Sequence, residues 1–292
     1  MTRKNDTNNL RDTFDQTVWG PIYHWSIYFL ISQLPDTLTI KDRVGVVLLF
    51  DSLKQLLPCP ECRVHYQTLL ENSPVKLHLN SRDTVFQWYL NVIHNDVRKR
   101  HGKTPLTSRD ILTFLNSRCS IVEDGKLELT HMSVWMPMLE WVWHSIPLCM
   151  PMDISQRELS GWETSINEEM NGEAPISEER MSELQHNITV IQDTRKSFNN
   201  QLVSFSLFFK AMTYLIRDND VRDAYIEAYN KWPASKYKTK HSISRWVVVI
   251  CNRMYDKLGH PRPIFDYEEM IKFMFSKDPM LPVYVTSKSV KA

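Results

Sequence analysis

Apolar side chains recur every three or four positions along most of this chain, and prolines, glycines and short polar stretches interrupt them. That spacing predicts helices over residues 18–34, 39–57, 59–71, 81–101 and 107–118. Ser81 is a predicted N-cap, Gly102 a predicted C′ residue, and Pro58 is predicted to open the third helix. Runs of alternating apolar and polar residues, typical of strands, are missing, so the predicted fold class is all-α.

The second half of the chain repeats three blocks of the first half in the same order. V-W-G-P-I-Y-H-W from Val18 matches V-W-M-P-M-L-E-W from Val134, and L-L-F-D-S-L-K-Q-L-L from Leu48 matches L-F-F-K-A-M-T-Y-L-I from Leu207. N-D-V-R-K-R-H-G-K from Asn95 then matches N-R-M-Y-D-K-L-G-H from Asn252. Amphipathic helices resemble one another in general, but here Trp, Pro, Tyr and Gly positions match as well. The pattern therefore predicts two helical domains, residues 1–120 and residues 131–292, the second a degenerate copy of the first.

A segment over residues 152–196 has no counterpart in the first half. It is rich in Glu and Ser, as in S-I-N-E-E-M-N-G-E-A-P-I-S-E-E-R. This acidic composition predicts an insertion that is a solvated or partly disordered loop, with a helix near residues 177–186.

Composition removes several classes of function. Apolar residues make up 42% of the chain, enough for packed cores, and the net charge of +1 argues against a nucleic-acid-binding protein. No run of 18 apolar residues is present, and the polar N-terminus shows no secretory signal peptide, so neither membrane insertion nor secretion is expected. The five cysteines form only one close pair, unlike the disulfide framework of a small secreted protein.

The close pair, Cys59-x-x-Cys62, allows three interpretations. As a zinc site it would use Cys59, Cys62 and His65, with a lone residue such as Cys119 or His94 as the fourth ligand. As a structural disulfide, the pair would stabilise a turn and take no part in a reaction. As a redox dithiol it would lie at a helix N-terminus, where free N–H groups and the helix dipole favour the thiolate. Cys149 and Cys251 lie in apolar helices and are predicted to be buried core thiols.

A second group of candidate residues lies in the fourth predicted helix, W-Y-L-N-V-I-H-N-D-V-R-K-R-H-G-K from Trp88. His94, Asn95 and Arg98 share one helical face, and flat imidazole and aromatic rings there could enclose a planar ligand. Arg98 and Lys103 could contact phosphate. Taken alone, the segment also fits an ordinary solvated basic face.

Together these blocks make the first predicted domain resemble the Erv/ALR family of FAD-dependent sulfhydryl oxidases. The family pattern is W-G-P-x-x-W-x-x-x-H, then P-C-x-x-C-x-x-H-F, then W-x-x-x-x-H-N-x-V-N-x-x-x-x-K. This chain has W-G-P from Trp19, P-C-P-E-C-R-V-H-Y from Pro58, and H-N-D-V from His94 followed by Lys103. The opening block is most similar to the branch of the family found in large cytoplasmic DNA viruses.

The resemblance implies a four-helix bundle plus a short fifth helix, with FAD at the mouth of the bundle. It implies that Cys59 and Cys62 are the catalytic dithiol, and it implies no metal site. His24, Tyr28 and Arg98 differ from the family pattern, which has Trp, His and Asn there. The residues that the resemblance implies as FAD contacts are Gly20, Tyr23, His24, Tyr28, Cys62, His65, Tyr66, Trp88, Tyr89, His94, Asn95, Val97, Arg98 and Lys103.

The function expected from the resemblance is a thiol oxidase that forms protein disulfides and passes electrons through Cys59 and Cys62 to FAD and then to O2, giving H2O2. A non-enzymatic helical adaptor with a Cys/His zinc site is the alternative. The expected partners are a protein dithiol substrate or a thioredoxin-like relay protein, and a second copy in a homodimer, with an intrachain pseudo-dimer as the alternative. The expected location is the host cytoplasm, at viral assembly sites, and the virion.

Overall fold

The computed structural model describes residues 16–117, 132–150, 156–172, 175–259 and 270, and no β-strand occurs in these ranges. The all-α prediction is confirmed. The first half contains α1 (Gln16–Ser32), α2 (Ile40–Leu56), α3 (Pro60–Asn72), α4 (residues 82–100) and α5 (Ser108–Ser117), with a 3-10 turn at Val75–His78. The second half contains α6 (Met132–Cys149), α7 (Gln156–Met170), α8 (Glu178–Leu215), α9 (Asn219–Lys231) and α10 (Lys240–Leu258), with a 3-10 turn at Ala234–Lys236.

Side-chain caps determine where the helices of the first half begin. Thr39 forms a capping box with Asp42, and Ser81 forms one with Thr84. The predicted first residues of α2 and α4 are therefore correct to within one residue. The third helix differs from the prediction: Cys59 is its N-cap and Pro60, not Pro58, occupies its first turn. Pro60 costs no hydrogen bond there because the first-turn N–H groups have no helical partner anyway.

The fourth helix contains a π-helical stretch that the sequence did not predict. Arg82–Trp88 and Asn95–Arg100 are α-helical, and Tyr89–His94 between them is a π-helix. A π stretch accommodates an extra residue in a helix, and such stretches are frequent at functional sites. Gly102 follows the helix with φ +65°, the left-handed conformation that glycine adopts most readily, as predicted for a C′ residue.

The acidic insertion is largely helical in its described residues: the helix predicted near residues 177–186 is confirmed, whereas the prediction of a solvated or partly disordered loop for the rest is wrong. Gln156–Met170 forms α7, and α8 runs without a break from Glu178 to Leu215, capped by Ser177. Leu159, Leu184 and Ile191 are buried, which shows that the polar composition hides a narrow apolar face.

The two halves contact each other through helices at matching places in the chain. α8 packs along α2, and α1 packs against α6. Gly45 allows the close crossing of α2 and α8, because a Cβ at Gly45 would lie 2.7 Å from the Cβ of Tyr214. The buried carboxylate of Asp42 pairs with Arg217, and the hydroxyls of Tyr23 and Ser145 lie 2.8 Å apart.

The halves also share hydrogen bonds at equivalent positions. The Tyr66 hydroxyl donates to the carbonyl of Phe50, and the Tyr225 hydroxyl donates to the carbonyl of Phe209. The Trp88 indole donates to the carbonyl of Ser73, and the Trp246 indole donates to the carbonyl of Trp232. The side chains of Cys59 and Asp218 both cap a helix by accepting from the backbone N–H three residues on.

The structure also tests the sequence predictions for the three remaining cysteines and for membrane insertion. Cys251 is buried, as predicted, whereas Cys149 is half-buried. Cys119 lies outside the described residues. No helix among the described residues is long and apolar enough to span a membrane.

Candidate functional site: a disulfide beside an aromatic cavity

Cys59 and Cys62 form a disulfide at the N-terminus of α3, with their Cα atoms 5.1 Å apart. The backbone N–H of Cys62 donates to the Cys59 sulfur over 3.2 Å, so the sulfur also caps the helix. The Arg63 guanidinium lies close to this turn and donates to the carbonyl of Leu57 over 2.8 Å. Free N–H groups and the helix dipole at this position would stabilise a thiolate once the disulfide is reduced.

A cavity of about 560 Å³ lies beside the disulfide, between α1, α3 and α4. Cys62 lines it and Cys59 does not. The other predicted cofactor contacts that line it are Gly20, Tyr23, His24, His65, Tyr66, Tyr89, His94, Val97, Arg98 and Lys103. The two cysteines are both half-buried and therefore differ only in that Cys62 alone lines the cavity.

Imidazole and phenol rings form the inner wall of the cavity. The rings of His24 and His94 stack with centroids 3.9 Å apart. The Nδ1 of His24 lies 2.7 Å from the Tyr89 hydroxyl, and the Nδ1 of His94 lies 3.0 Å from the Tyr28 hydroxyl. The π stretch contributes Tyr89, Ile93 and His94 to the cavity from one short piece of helix.

Burial keeps both stacked histidines neutral. It lowers the pKa of His94 to about 4, with smaller contributions from the positive charges of Arg98 and Lys103. It also lowers the pKa of His24 well below its usual value, and His94 adds to that shift. Neutral imidazole rings can both donate hydrogen bonds to a planar ligand and accept them from it, and they do not repel the nearby charges of Arg98 and Lys103.

Basic side chains line the outer part of the cavity. Arg98, Arg100, His101 and Lys103 lie along its rim, and Arg100, His101 and Lys103 are exposed. The cavity thus has an aromatic inner end and a cationic outer end. Sequence reasoning missed Arg100, although it stands in the basic run that was singled out, and it placed His101 near the candidate face without assigning it a contact.

Three residues predicted as direct contacts do not line the cavity. Tyr28 is fully buried behind His94, and Trp88 is turned toward Phe50 and the carbonyl of Ser73. Asn95 is buried too: its amide donates to the carbonyl of Leu106 and accepts from the N–H of Leu106. In this structure these side chains support the cavity wall and the loop after α4, and their direct contact with FAD stays a prediction.

Zinc ligation at this turn is not favoured. The Nε2 of His65 lies 2.8 Å from a carboxylate oxygen of Asp96, and the two cysteines are joined to each other. Burial, followed by the charge of Arg100, lowers the pKa of His65, while Asp96 opposes that shift. Within the described part of the chain, these three residues do not form a metal-ligand cluster.

Comparison with known proteins agrees with this geometry. Residues 23–117 match the sequence profile of the Erv1/Alr family. This match covers about a third of the chain. The probable FAD-linked sulfhydryl oxidase of Acanthamoeba polyphaga mimivirus is 33% identical to the chain over 91 residues, which is 30% of this chain. The chain spans 62% of that relative's length, and no solved structure matches.

The family match ends where the first half ends. The Erv1/Alr segment contains the disulfide, the cavity and α1 from Tyr23 onward, together with α2 to α5. The second half, α6 to α10, is outside it, so its likeness to the Erv1/Alr segment rests on the shared blocks and hydrogen bonds described above.

Proposed function

We propose that the chain is a FAD-dependent thiol oxidase that forms disulfide bonds in proteins. The observation that carries the proposal is the disulfide Cys59–Cys62, of which Cys62 lines an aromatic cavity with cations at its outer end. The match of residues 23–117 to the Erv1/Alr profile and the name of the mimivirus relative support the same activity.

FAD suits this cavity because the residues present match its two chemical parts. Neutral His24 and His94 and the ring of Tyr89 offer flat surfaces and hydrogen-bonding groups to an isoalloxazine ring. Arg98, Arg100 and Lys103 offer positive charge to a pyrophosphate. When bound, FAD supplies a two-electron acceptor that can be reoxidised by O2.

The chain's own residues perform the thiol chemistry. A substrate thiolate attacks the Cys59 sulfur and forms a mixed disulfide, and Cys62 leaves as a thiolate. A second substrate thiolate attacks the substrate sulfur of that mixed disulfide, which releases the oxidised substrate and leaves Cys59 reduced. The two electrons taken from the substrate then reside in the Cys59–Cys62 dithiol, and Cys62 is the member that faces the cavity. Overall, two thiols and O2 give one disulfide and H2O2.

The test is to purify the full chain and measure three quantities together. We expect flavin absorbance, oxidation of dithiothreitol, and consumption of one O2 per disulfide formed with H2O2 as the product. Cys149→Ser is the matched control, because Cys149 is outside the cavity and should leave all three unchanged. Colourless protein that remains inactive after FAD is added would refute the proposal.

Residues 132–259 are, in this proposal, a degenerate copy of the first half that binds no flavin. The matching hydrogen bonds of Tyr66 and Tyr225 and of Cys59 and Asp218 support a shared ancestry. The substrate is a protein dithiol or a thioredoxin-like relay protein, and the site of action is the host cytoplasm where virions assemble. Trapping of a mixed disulfide by Cys62→Ser in infected cells would identify the substrate and its location.

A further inference from the structure

A cluster of three potential metal ligands lies inside the second half, away from the cavity. Glu140 and His144 are one turn apart on α6, and Cys251 faces them from α10. Their ligand atoms all lie within 4.8 Å of one another, and all three side chains have no exposed surface. No other group of this kind occurs in the described ranges.

The hydrogen bonds of this cluster are incomplete. One carboxylate oxygen of Glu140 accepts from the Tyr255 hydroxyl over 2.9 Å, whereas the other has no hydrogen-bond partner among the described residues. Neither ring nitrogen of His144 has one either, although its Nε2 lies 3.5 Å from Glu140. Buried polar atoms are almost always partnered, so three orphan atoms in one place require an explanation.

A simple ion pair between Glu140 and His144 explains these atoms poorly. A charge-assisted hydrogen bond between the two would be roughly 2.7–2.9 Å long, shorter than the 3.5 Å found here. It would also leave the second nitrogen of His144 without a partner.

We propose that Glu140, His144 and Cys251 bind one Zn²⁺ ion in the interior of the second half. One oxygen, one nitrogen and one sulfur ligand form a donor set that zinc accepts, with water in the fourth position. A carboxylate and a thiolate neutralise the charge of a divalent cation, which removes the penalty of burying either group alone. Tyr255 then acts as the outer-shell group that orients the carboxylate.

The spacing of the ligands suits such an ion after a small adjustment. Bonds of roughly 2.0–2.3 Å in a tetrahedral site place ligand atoms about 3.3–3.8 Å apart. The 3.5 Å between Glu140 and His144 is already in that range, and the remaining separations exceed it by at most about 1 Å.

The cluster stands where the first half builds its cavity wall. By the alignment of the two halves, Glu140 corresponds to His24, His144 to Tyr28, and Cys251 to His94. The first half brings its three side chains together beside the cavity, and the second half brings its three together in a closed interior. Zinc would join α6 to α10 there, which gives the second half a structural centre of its own.

The experiment measures metal in the full-length chain. We expect one equivalent of zinc per chain in the purified protein, a lower thermal midpoint after chelation, and recovery of that midpoint when Zn²⁺ alone is added. Co²⁺ added to the chelated protein should give the near-ultraviolet sulfur-to-cobalt absorption that a thiolate ligand produces.

Variants assign the signal to the cluster. Cys251→Ser should abolish the sulfur-to-cobalt band. Glu140→Gln should weaken Zn²⁺ binding at least about tenfold: loss of a residue that only orients a ligand costs that much, and Glu140 is itself a ligand. Cys149→Ser should change neither, and a Cys59→Ser/Cys62→Ser chain should keep the band, which shows that the sulfur is not from the redox pair.

Two results would overturn the proposal. One is a folded wild-type chain that holds less than about a tenth of an equivalent of zinc both before and after Zn²⁺ is added. This measurement uses the wild type, so it does not depend on a variant that fails to fold. The other is an unchanged sulfur-to-cobalt band in Cys251→Ser. Neither result depends on whether the first half oxidises thiols.

Discussion

Cys59 and Cys62 lie three residues apart but differ in what they contact, and in the proposed reaction they have different tasks. Cys62 lines the cavity, and Cys59 caps α3 with its sulfur. A serine at residue 59 retains an N-cap oxygen, so Cys59→Ser should leave α3 intact. The substitution therefore tests the chemistry of the sulfur rather than the stability of the helix.

We predict that Cys59→Ser and Cys62→Ser both abolish thiol oxidation but differ in their spectra. In Cys59→Ser the Cys62 thiolate remains beside the flavin and should add a long-wavelength absorption band, whereas Cys62→Ser should lack that band. Absorption spectra of the two purified variants make the comparison. Ordinary oxidation of dithiothreitol by either variant, or the same spectrum from both, would contradict the assignment.

The stacked histidines predict a pH dependence of stability. Because the pKa of His94 is about 4 in the folded chain and roughly 6.5 when unfolded, only the unfolded chain takes up a proton between these values. The free energy of unfolding should therefore fall as the pH falls from 6.5 to 4, by about 3 kcal/mol from this group alone. Denaturant unfolding of flavin-free wild type and His94→Gln measures it: the wild type should lose more stability than the variant. Parallel losses would contradict the prediction.

The sequence identified the dithiol because C-x-x-C after a helix-ending proline is a local signal. It could not separate direct contacts from supports, since Tyr28 and Asn95 have residue types that suit a ligand as well as a hydrogen-bonded wall. It also missed the Glu140–His144–Cys251 cluster, because Cys251 alone in an apolar helix looks like a core thiol. Such distinctions depend on distances between helices that are far apart in the chain.

At the scale of elements, the π stretch and the loop after α4 shape the cavity. Trp88 and Asn95 of the first half correspond to Trp246 and Asn252 of the second half, and the first half has one residue more between them. The π stretch lies in this longer interval. After it, Asn95 binds both backbone groups of Leu106, and Arg98 donates to the carbonyl of Thr104 over 2.7 Å. These bonds hold the loop that bears Lys103 at the rim of the cavity.

We predict that Asn95→Ala weakens FAD binding without unfolding the bundle. It removes two hydrogen bonds and leaves the N–H and carbonyl of Leu106 without their partner, a loss of about 1–3 kcal/mol that is concentrated in the loop. Flavin retention and far-ultraviolet circular dichroism are the two measurements, and His94→Ala combined with Asn95→Ala should release flavin completely. Asn91→Ala on the same helix is the control, because Asn91 is exposed and bonds only to Gln87. Full flavin occupancy in the double variant would count against the site.

Capping residues in the sequence predicted where several helices begin or end, but they did not predict the length of α8. Thr39, Ser81 and Gly102 each mark an end by side-chain or backbone chemistry that is readable in the sequence. The polar start of α8 reads as a loop, and its helicity comes with burial of Leu184 and Ile191, beside α7, which the sequence pattern alone does not reveal. Tertiary packing decides the structure of such weakly amphipathic segments.

At the scale of the whole molecule, the second half covers the α1 and α2 face of the first. α8 lies along α2, and the Asp42–Arg217 pair and the Tyr23–Ser145 hydrogen bond join the halves. Because the second half covers this face, a homodimer would have to use another surface; both the homodimer and the intrachain pseudo-dimer stay predictions. Molar mass from light scattering would decide between one chain and two.

We predict that Gly45→Ala destabilises the contact between the halves. Its Cβ would lie 2.7 Å from the Tyr214 Cβ and 3.1 Å from a Leu215 methyl group, so α2 and α8 would have to separate. Overpacking of this kind costs about 1–3 kcal/mol, more than the roughly 0.5–1 kcal/mol that alanine contributes to a helix. Gly161→Ala is the control, because a Cβ at that position would meet no described atom within 4 Å apart from its chain neighbours and the nearby backbone of α7, so alanine should stabilise α7. Equal stabilisation by both substitutions, in thermal or denaturant unfolding, would contradict the close crossing.

The last prediction is that the chain binds one FAD and not two. The second half lacks what the cavity of the first half requires: Val221 stands at the position of Cys62, and the buried side chains of Met136 and Trp143 stand at the positions of Gly20 and Ile27. Trp143 packs against Phe209 and Tyr225, so a large ring fills the interior that the first half leaves open. Flavin released by denaturation, divided by the protein concentration, should give one equivalent, and His94→Ala combined with Asn95→Ala should remove all of it. Two equivalents in the wild type, or one equivalent that survives in the double variant, would mean that the second half binds flavin after all.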